Sequence, residues 1–144
     1  MKVAVTKRFV LDASVALAWC FPGEATAETE MVLDSLSNGA EAFVPALWPF
    51  ELANALLVGE RRKRISVAQV TSMLQRIAYL PIAVQPVQPD RIFGQILALA
   101  RQHGLSEYDS AYLDLALREA LPLATLDQAL RKAAHNAGLR LIAI

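Results

Sequence analysis

One cysteine and two histidines in 144 residues remove several chemistries at once. A lone Cys20 excludes an intramolecular disulfide framework and a zinc site of clustered thiols, fits a reducing cytoplasm, and reads as core filling. His103 and His135 fall at predicted helix ends, where a basic ring offsets the helix dipole rather than binding metal. An excess of one charge is missing too. Fourteen Lys and Arg balance fourteen Asp and Glu, so no global field marks a basic nucleic-acid binder, and any polyanion must be met locally. Long apolar runs are absent. Lys2, Lys7 and Arg8 before Phe9–Phe21 imitate a leader peptide, with Ala25-Thr26-Ala27 as its cleavage site. Asp12 interrupts that imitation, and the longest unbroken run, Val15–Phe21, is far below the ~20 residues of a membrane span. A cytoplasmic chain with no membrane partner is expected.

What is present is apolar residue in surplus. A hydrophobic fraction of 55% exceeds the globular average of about 45–50%, which points to a buried partner surface. The length fits one domain, residues 1–144, under a prior of roughly 150 residues. Gly and Pro punctuate periodic segments of alternating type. Strands are expected at 8–11, 42–44, 82–85, 123–125 and 139–143, and helices at 14–19, 26–37, 49–63, 66–79, 90–103, 106–120 and 128–137. Ser66 and Gln69 have the spacing of a capping box, and Asn38-Gly39 suits a left-handed helix end. Strands alternating with helices imply right-handed crossovers onto a mostly parallel sheet of about five short strands, with helices on both faces: an α/β sandwich. In that architecture ligands lie beyond the carboxyl ends of the strands, near a topological switch point.

Acidic residues occupy that edge. Asp12 follows the strand Phe9-Val10-Leu11, and Asp127 lies two residues beyond Leu123-Ala124-Thr125. Glu51 stands in an apolar helix start, Trp48 to Leu57, and shares a face with Asn54. Asp109 opens the helix 106–120 on the same stripe as Tyr112, Leu113, Ala116 and Ala120, so it points inward. Three of the acids also have a plain structural role open to them. Asp12 can cap the short helix after it, Asp109 can complete a capping box with Ser106, and Asp127 suits a helix N-terminus. Glu51 has fewer such roles, because desolvating a carboxylate costs several kcal/mol unless something compensates it. Four converging carboxylates repel and raise one another's pKa, so the set makes sense mainly with a divalent cation. All-oxygen donors select Mg²⁺ or Mn²⁺, and such a cation at a sheet edge serves phosphoryl transfer or phosphodiester hydrolysis.

The chain resembles PIN-domain nucleases, specifically the VapC-type toxins of toxin–antitoxin pairs. The resemblance rests on Val10-Leu11-Asp12-Ala13-Ser14, Pro49-Phe50-Glu51-Leu52-Ala53-Asn54-Ala55-Leu56, Leu105-Ser106-Glu107-Tyr108-Asp109-Ser110-Ala111-Tyr112 and Leu123-Ala124-Thr125-Leu126-Asp127, in that order. It implies a PIN-like sandwich in which Asp12, Glu51, Asp109 and Asp127 hold Mg²⁺ or Mn²⁺, with Asp12 and Asp109 the most direct ligands. Ser14, Asn54 and Thr125 then support those ligands from behind. It further implies endoribonuclease activity on structured RNA such as tRNA or rRNA, a homodimer, and inhibition by a cognate antitoxin.

Asp114, five residues after Asp109, reads as a structural acid with Arg118 as its surface partner. The run Arg61-Arg62-Lys63-Arg64 reads equally as a phosphate-tracking patch or as favourable charge at a helix C-terminus, with Lys7, Arg8, Arg131 and Lys132 as lesser candidates for the former. Trp19, Phe21, Trp48 and Phe50 read as core or interface rather than base-stacking residues. A phosphate-accepting signalling module would want a lysine after a late strand, and a haloacid-type phosphatase an aspartate where Ser14 stands; neither is present. A PIN-like module that binds RNA or protein without cutting is the remaining alternative.

Overall fold

Phe9, Val10 and Leu11 are all fully buried, which a strand achieves only when both faces of its sheet are covered. The computed structural model, which describes residues 1–144, supplies that cover. Six parallel strands form one sheet: β1 (Lys2–Val3), β2 (Arg8–Leu11), β3 (Glu41–Pro45), β4 (Ile82–Gln85), β5 (Leu123–Ala124) and β6 (Leu141–Ile142), in spatial order β1-β6-β5-β2-β3-β4. The helices are α1 (Ala13–Cys20), α2 (Ala27–Ser37), α3 (Trp48–Arg61), α4 (Val67–Ala78), α5 (Pro89–Arg91), α6 (Leu97–His103), α7 (Glu107–Glu119) and α8 (Gln128–Asn136). A π-helical segment, Ile92–Ile96, joins α5 to α6. The chain advances from β2 through β3 to β4, then returns past β2 to build β5 and β6. Strand order therefore reverses between β2 and β5, and this is where such sheets place their ligand crevice.

The core lies on both faces of β2, β3 and β5. Tyr112, Phe9, Leu11, Leu56, Leu113, Leu115, Leu123 and Leu130 are its largest fully buried side chains, each aliphatic one contributing about 1.5–3 kcal/mol by leaving water. Trp19 donates its indole N–H to the Thr29 carbonyl at 2.8 Å, pinning α1 to α2. Gly59 lets α3 close on α1: a Cβ there would lie 2.5 Å from the Phe21 ring. The capping box expected at Ser66 forms. Ser66 and Gln69 make the reciprocal capping box of α4, and Gly104 ends α6 at φ +65°, a conformation that costs an L-residue with a Cβ.

Several expectations need correction. The sheet has a sixth strand, β1, whose two residues carry no readable periodicity, and β6 covers only Leu141–Ile142 of the expected 139–143. The expected continuous helix 90–103 contains the π segment, which preserves helical spacing closely enough to hide in the pattern. Asp114 is not a surface acid paired with Arg118. It is 2% exposed and takes a bidentate contact from Arg91, with Nε at 2.9 and 3.1 Å and Nη2 at 2.6 Å. Position 114 belongs to the run of buried α7 residues 110–116, whereas Arg118 is exposed. Of the four aromatics expected in core or interface, Trp19, Phe21 and Trp48 enter the core, while Phe50, 82% exposed, leaves only the interface alternative open.

Candidate active site

All four acids stand at helix N-termini on the carboxyl edge of the sheet. Asp12 is the N-cap residue of α1, Glu51 lies in the first turn of α3, Asp109 in the first turn of α7, and Asp127 is the N-cap residue of α8. The partial positive charge of each helix end favours a carboxylate there. Parallel pairing brings Leu11 opposite Ala124, so the residues that follow, Asp12 and Thr125, emerge side by side at the reversal point.

A small hydroxyl network fixes Asp12. Its Oδ2 accepts from Ser14 Oγ at 2.6 Å and from Thr125 Oγ1 at 2.7 Å. Each hydroxyl in turn accepts a backbone N–H from the loop after β5: Leu126 to Ser14 Oγ and Asp127 to Thr125 Oγ1, both at 3.0 Å. Arg131 Nη1 donates to the Thr125 carbonyl at 2.8 Å and steadies the same loop. Asp12 occupies the cap position yet makes no capping hydrogen bond with its side chain. Asp127 does cap: its Oδ1 accepts from the Leu130 N–H at 2.8 Å. Ser106 Oγ accepts from the Asp109 N–H, but the Asp109 carboxylate does not return the bond, so only half of the capping box forms.

Glu51 accepts the Tyr112 phenol on Oε1 at 2.5 Å. Sequence reasoning assigns Tyr112 to the inward stripe of α7 and misses this contact. The only signal for it is the i, i+3 spacing from Asp109, which puts both on one helical face. Asn54 is exposed and makes no side-chain hydrogen bond, so the structure does not join it to the other residues of the group. Arg61, Arg62, Lys63 and Arg64 are all exposed at the far end of α3. Arg64 is occupied there, paired with Glu24 and lying 4.6 Å over the Phe21 ring.

Electrostatics link the acids. Burial pushes the Asp12 carboxyl above the ordinary carboxylate range; its two hydroxyl donors pull it back, and the Asp127 charge adds to the rise. Burial raises Glu51, against the Tyr112 hydrogen bond and with the charges of Asp12 and Asp109. Asp109 is raised by burial and then by Asp127 and Asp12. Asp12, Glu51 and Asp109 thus each sense the charge of others of the group, and no base offsets them: the chain's two ion pairs, Arg64–Glu24 and Arg91–Asp114, lie elsewhere. The donor set is all hard oxygen, which suits Mg²⁺ or Mn²⁺. As the side chains stand, no three Asp, Glu, His or Cys groups are close enough to hold one ion, so closing on a cation requires rotamer adjustment in at least one of them.

The chain is 29% identical over 123 residues to Ribonuclease VapC3 of Pyrobaculum aerophilum, covering 85% of this chain and 92% of that protein. Its fold is similar to the crystal structure of PAE2754 from Pyrobaculum aerophilum, with TM-score 0.72 and 21% identity over 94% of this chain and 83% of that one. It is also similar to a toxin–antitoxin complex from Klebsiella pneumoniae, with TM-score 0.58 and 15% identity over 83% and 86% of the two chains. Residues 9–136 match the PIN domain model, a span holding all four acids and every central strand, and the chain accordingly belongs to the PIN-domain family.

Proposed function

We propose that residues 1–144 form a single PIN domain acting in the cytoplasm as a Mg²⁺- or Mn²⁺-dependent endoribonuclease, the toxin of a toxin–antitoxin pair, which hydrolyses phosphodiester bonds of structured RNA such as tRNA or rRNA. The observation that carries this reading is the set of four carboxylates, each on its own helix N-terminus at the strand reversal, three of them raised by burial and by one another without a basic partner. The identity to a protein named a ribonuclease supports the reaction class.

Asp12, Glu51, Asp109 and Asp127 would hold the cation. When bound, it supplies charge neutralisation for the scissile phosphate and activates water. Ser14 and Thr125 orient the Asp12 carboxylate through Oδ2 and leave Oδ1 free of hydroxyl donors. Arg131 holds the loop that carries Thr125 and Asp127. At ~1.5 Å rise per residue, Arg61 lies about 15 Å along α3 from Glu51, so Arg61, Arg62 and Lys63 track RNA phosphates leading away from the site. Arg64, committed to Phe21 and Glu24, has a smaller share.

Two partners complete the reading. Phe50, Phe93 and Tyr108 are 82%, 74% and 67% exposed and supply apolar surface for a homodimer. A cognate antitoxin inhibits by presenting Arg or Lys to the acids, supplying the positive charge they lack; the similarity to a toxin–antitoxin complex supports it. The test is incubation of partner-free protein with total tRNA and rRNA in Mg²⁺, Mn²⁺ or chelator, beside Asp12→Asn. Discrete cuts requiring both metal and Asp12 are expected. Cuts that survive the chelator or the substitution would remove the carboxylates from the reaction.

A further inference from the structure

α3 and α7 each bring one acid to the site, and a single side-chain hydrogen bond joins the two helices there: Tyr112 Oη to Glu51 Oε1. The phenol comes from a residue with no exposed surface, packed among the core side chains of α7. Asp109 stands one helical turn before it on the same helix, so α7 carries both an acid of its own and the group that restrains the acid of α3. Glu51 has no other hydrogen-bond donor, and its Oε2 is left without a partner. A glutamate has three rotatable bonds, and an unrestrained one loses considerable rotamer freedom on binding an ion. A fixed donor on one oxygen removes much of that loss beforehand and leaves the second oxygen to serve as ligand.

We propose that Tyr112 is a positioning residue: its phenol holds the Glu51 carboxylate in the orientation from which α3 and α7 jointly hold the divalent cation. The inference rests on the reading of the four acids as a cation site and adds a residue to it. Tyr112 touches neither cation nor substrate and acts only through Glu51.

The test is a Mn²⁺ titration of the full chain, followed by electron paramagnetic resonance of free Mn²⁺, on wild type, Tyr112→Phe, Glu51→Gln and the double variant. Phenylalanine keeps the ring and its packing, and circular dichroism and thermal unfolding verify the fold of each protein. Tyr112→Phe is expected to weaken Mn²⁺ binding by about 10-fold or more, the usual consequence of losing a group that orients a ligand. In the Glu51→Gln background the same change is expected to do nothing further, because its route of action has gone. With RNA, kcat falls in Tyr112→Phe while KM stays within twofold. Wild-type Mn²⁺ affinity in Tyr112→Phe, or equal losses in both backgrounds, would overturn the inference and leave the cation site standing. Absence of Mn²⁺ binding by the wild type would overturn the cation site itself and this inference with it.

Discussion

Replacing Asp12 with asparagine should stabilise the metal-free protein and destabilise it, relative to wild type, once Mn²⁺ is added. The change is nearly isosteric, and the amide oxygen can still accept from Ser14 and Thr125, so the hydroxyl network survives in weaker form. A hydrogen bond to a charged acceptor contributes about 1.5–3 kcal/mol and one to a neutral acceptor about 0.5–1.5, so neutralisation loses about 1 kcal/mol per bond, or about 2 kcal/mol for the pair. Against this stands the desolvation of a carboxylate that is 6% exposed, a penalty of several kcal/mol, with repulsion from Asp127 added. Burial outweighs the hydrogen bonds in the folded chain, since the net effect raises the Asp12 carboxyl. The balance favours the variant by about 1–2 kcal/mol at pH 7, or about 3–6 °C in Tm for a chain of this size. At a Mn²⁺ concentration 100 times its Kd the wild type gains about 2.7 kcal/mol by mass action, and a variant that has lost a ligand gains little. Thermal unfolding of both proteins in chelator and in millimolar Mn²⁺ should therefore give Tm values that change order. A variant less stable than wild type in chelator, with neither protein responding to Mn²⁺, would show that Asp12 is neither strained by burial nor a cation ligand.

Two further outcomes follow from charge burial. Asp12, Glu51 and Asp109 all have raised carboxyls, so the folded chain binds protons more tightly than the unfolded one; the stability these groups contribute is complete below the ordinary carboxylate pKa of about 4 and is lost as pH rises through their raised values. In chelator, Tm should fall from pH 4.5 towards 7, and Asp109→Asn should flatten that slope; a slope unchanged by the substitution would contradict the assignment. Arg91→Ala leaves the Asp114 carboxylate buried without a partner and should cost about 3–5 kcal/mol. Asp114→Asn leaves only a partly exposed guanidinium that can turn to water, and should cost about 1–2 kcal/mol. Urea unfolding measures both, and the reverse order would show that Asp114 is not held by Arg91.

The positions of the acids were legible because they depend on local pattern: a strand of apolar residues, then a polar residue, then a helix start. Asp12 after Phe9-Val10-Leu11 and Asp127 after Leu123-Ala124 are placed by that grammar alone, and the caps at Ser66 and Gly104 are local in the same way. What the acids do with their hydrogen bonds was not legible. Tyr112 reaches Glu51 across 61 positions, Thr125 reaches Asp12 across 113, and Arg91 reaches Asp114 across 23; such pairs are set by how helices pack on the sheet. Helical periodicity placed Glu51 and Asn54 together, yet Asn54 is exposed while Glu51 is half-buried, since the buried stripe of α3 follows Trp48, Leu52 and Leu56. The π segment escaped because one widened turn shifts the pattern by less than the spacing of apolar residues reveals.

Cation occupancy and chemistry can be coupled in one sample, with Mn²⁺ binding and cleavage of tRNA measured together across a single titration of the partner-free wild type. The cleavage rate is expected to rise in proportion to the fraction of protein holding Mn²⁺, and both should vanish in Asp12→Asn. Cleavage at full rate in protein stripped of divalent cation, or RNA left intact by protein saturated with Mn²⁺, would contradict metal-dependent cleavage.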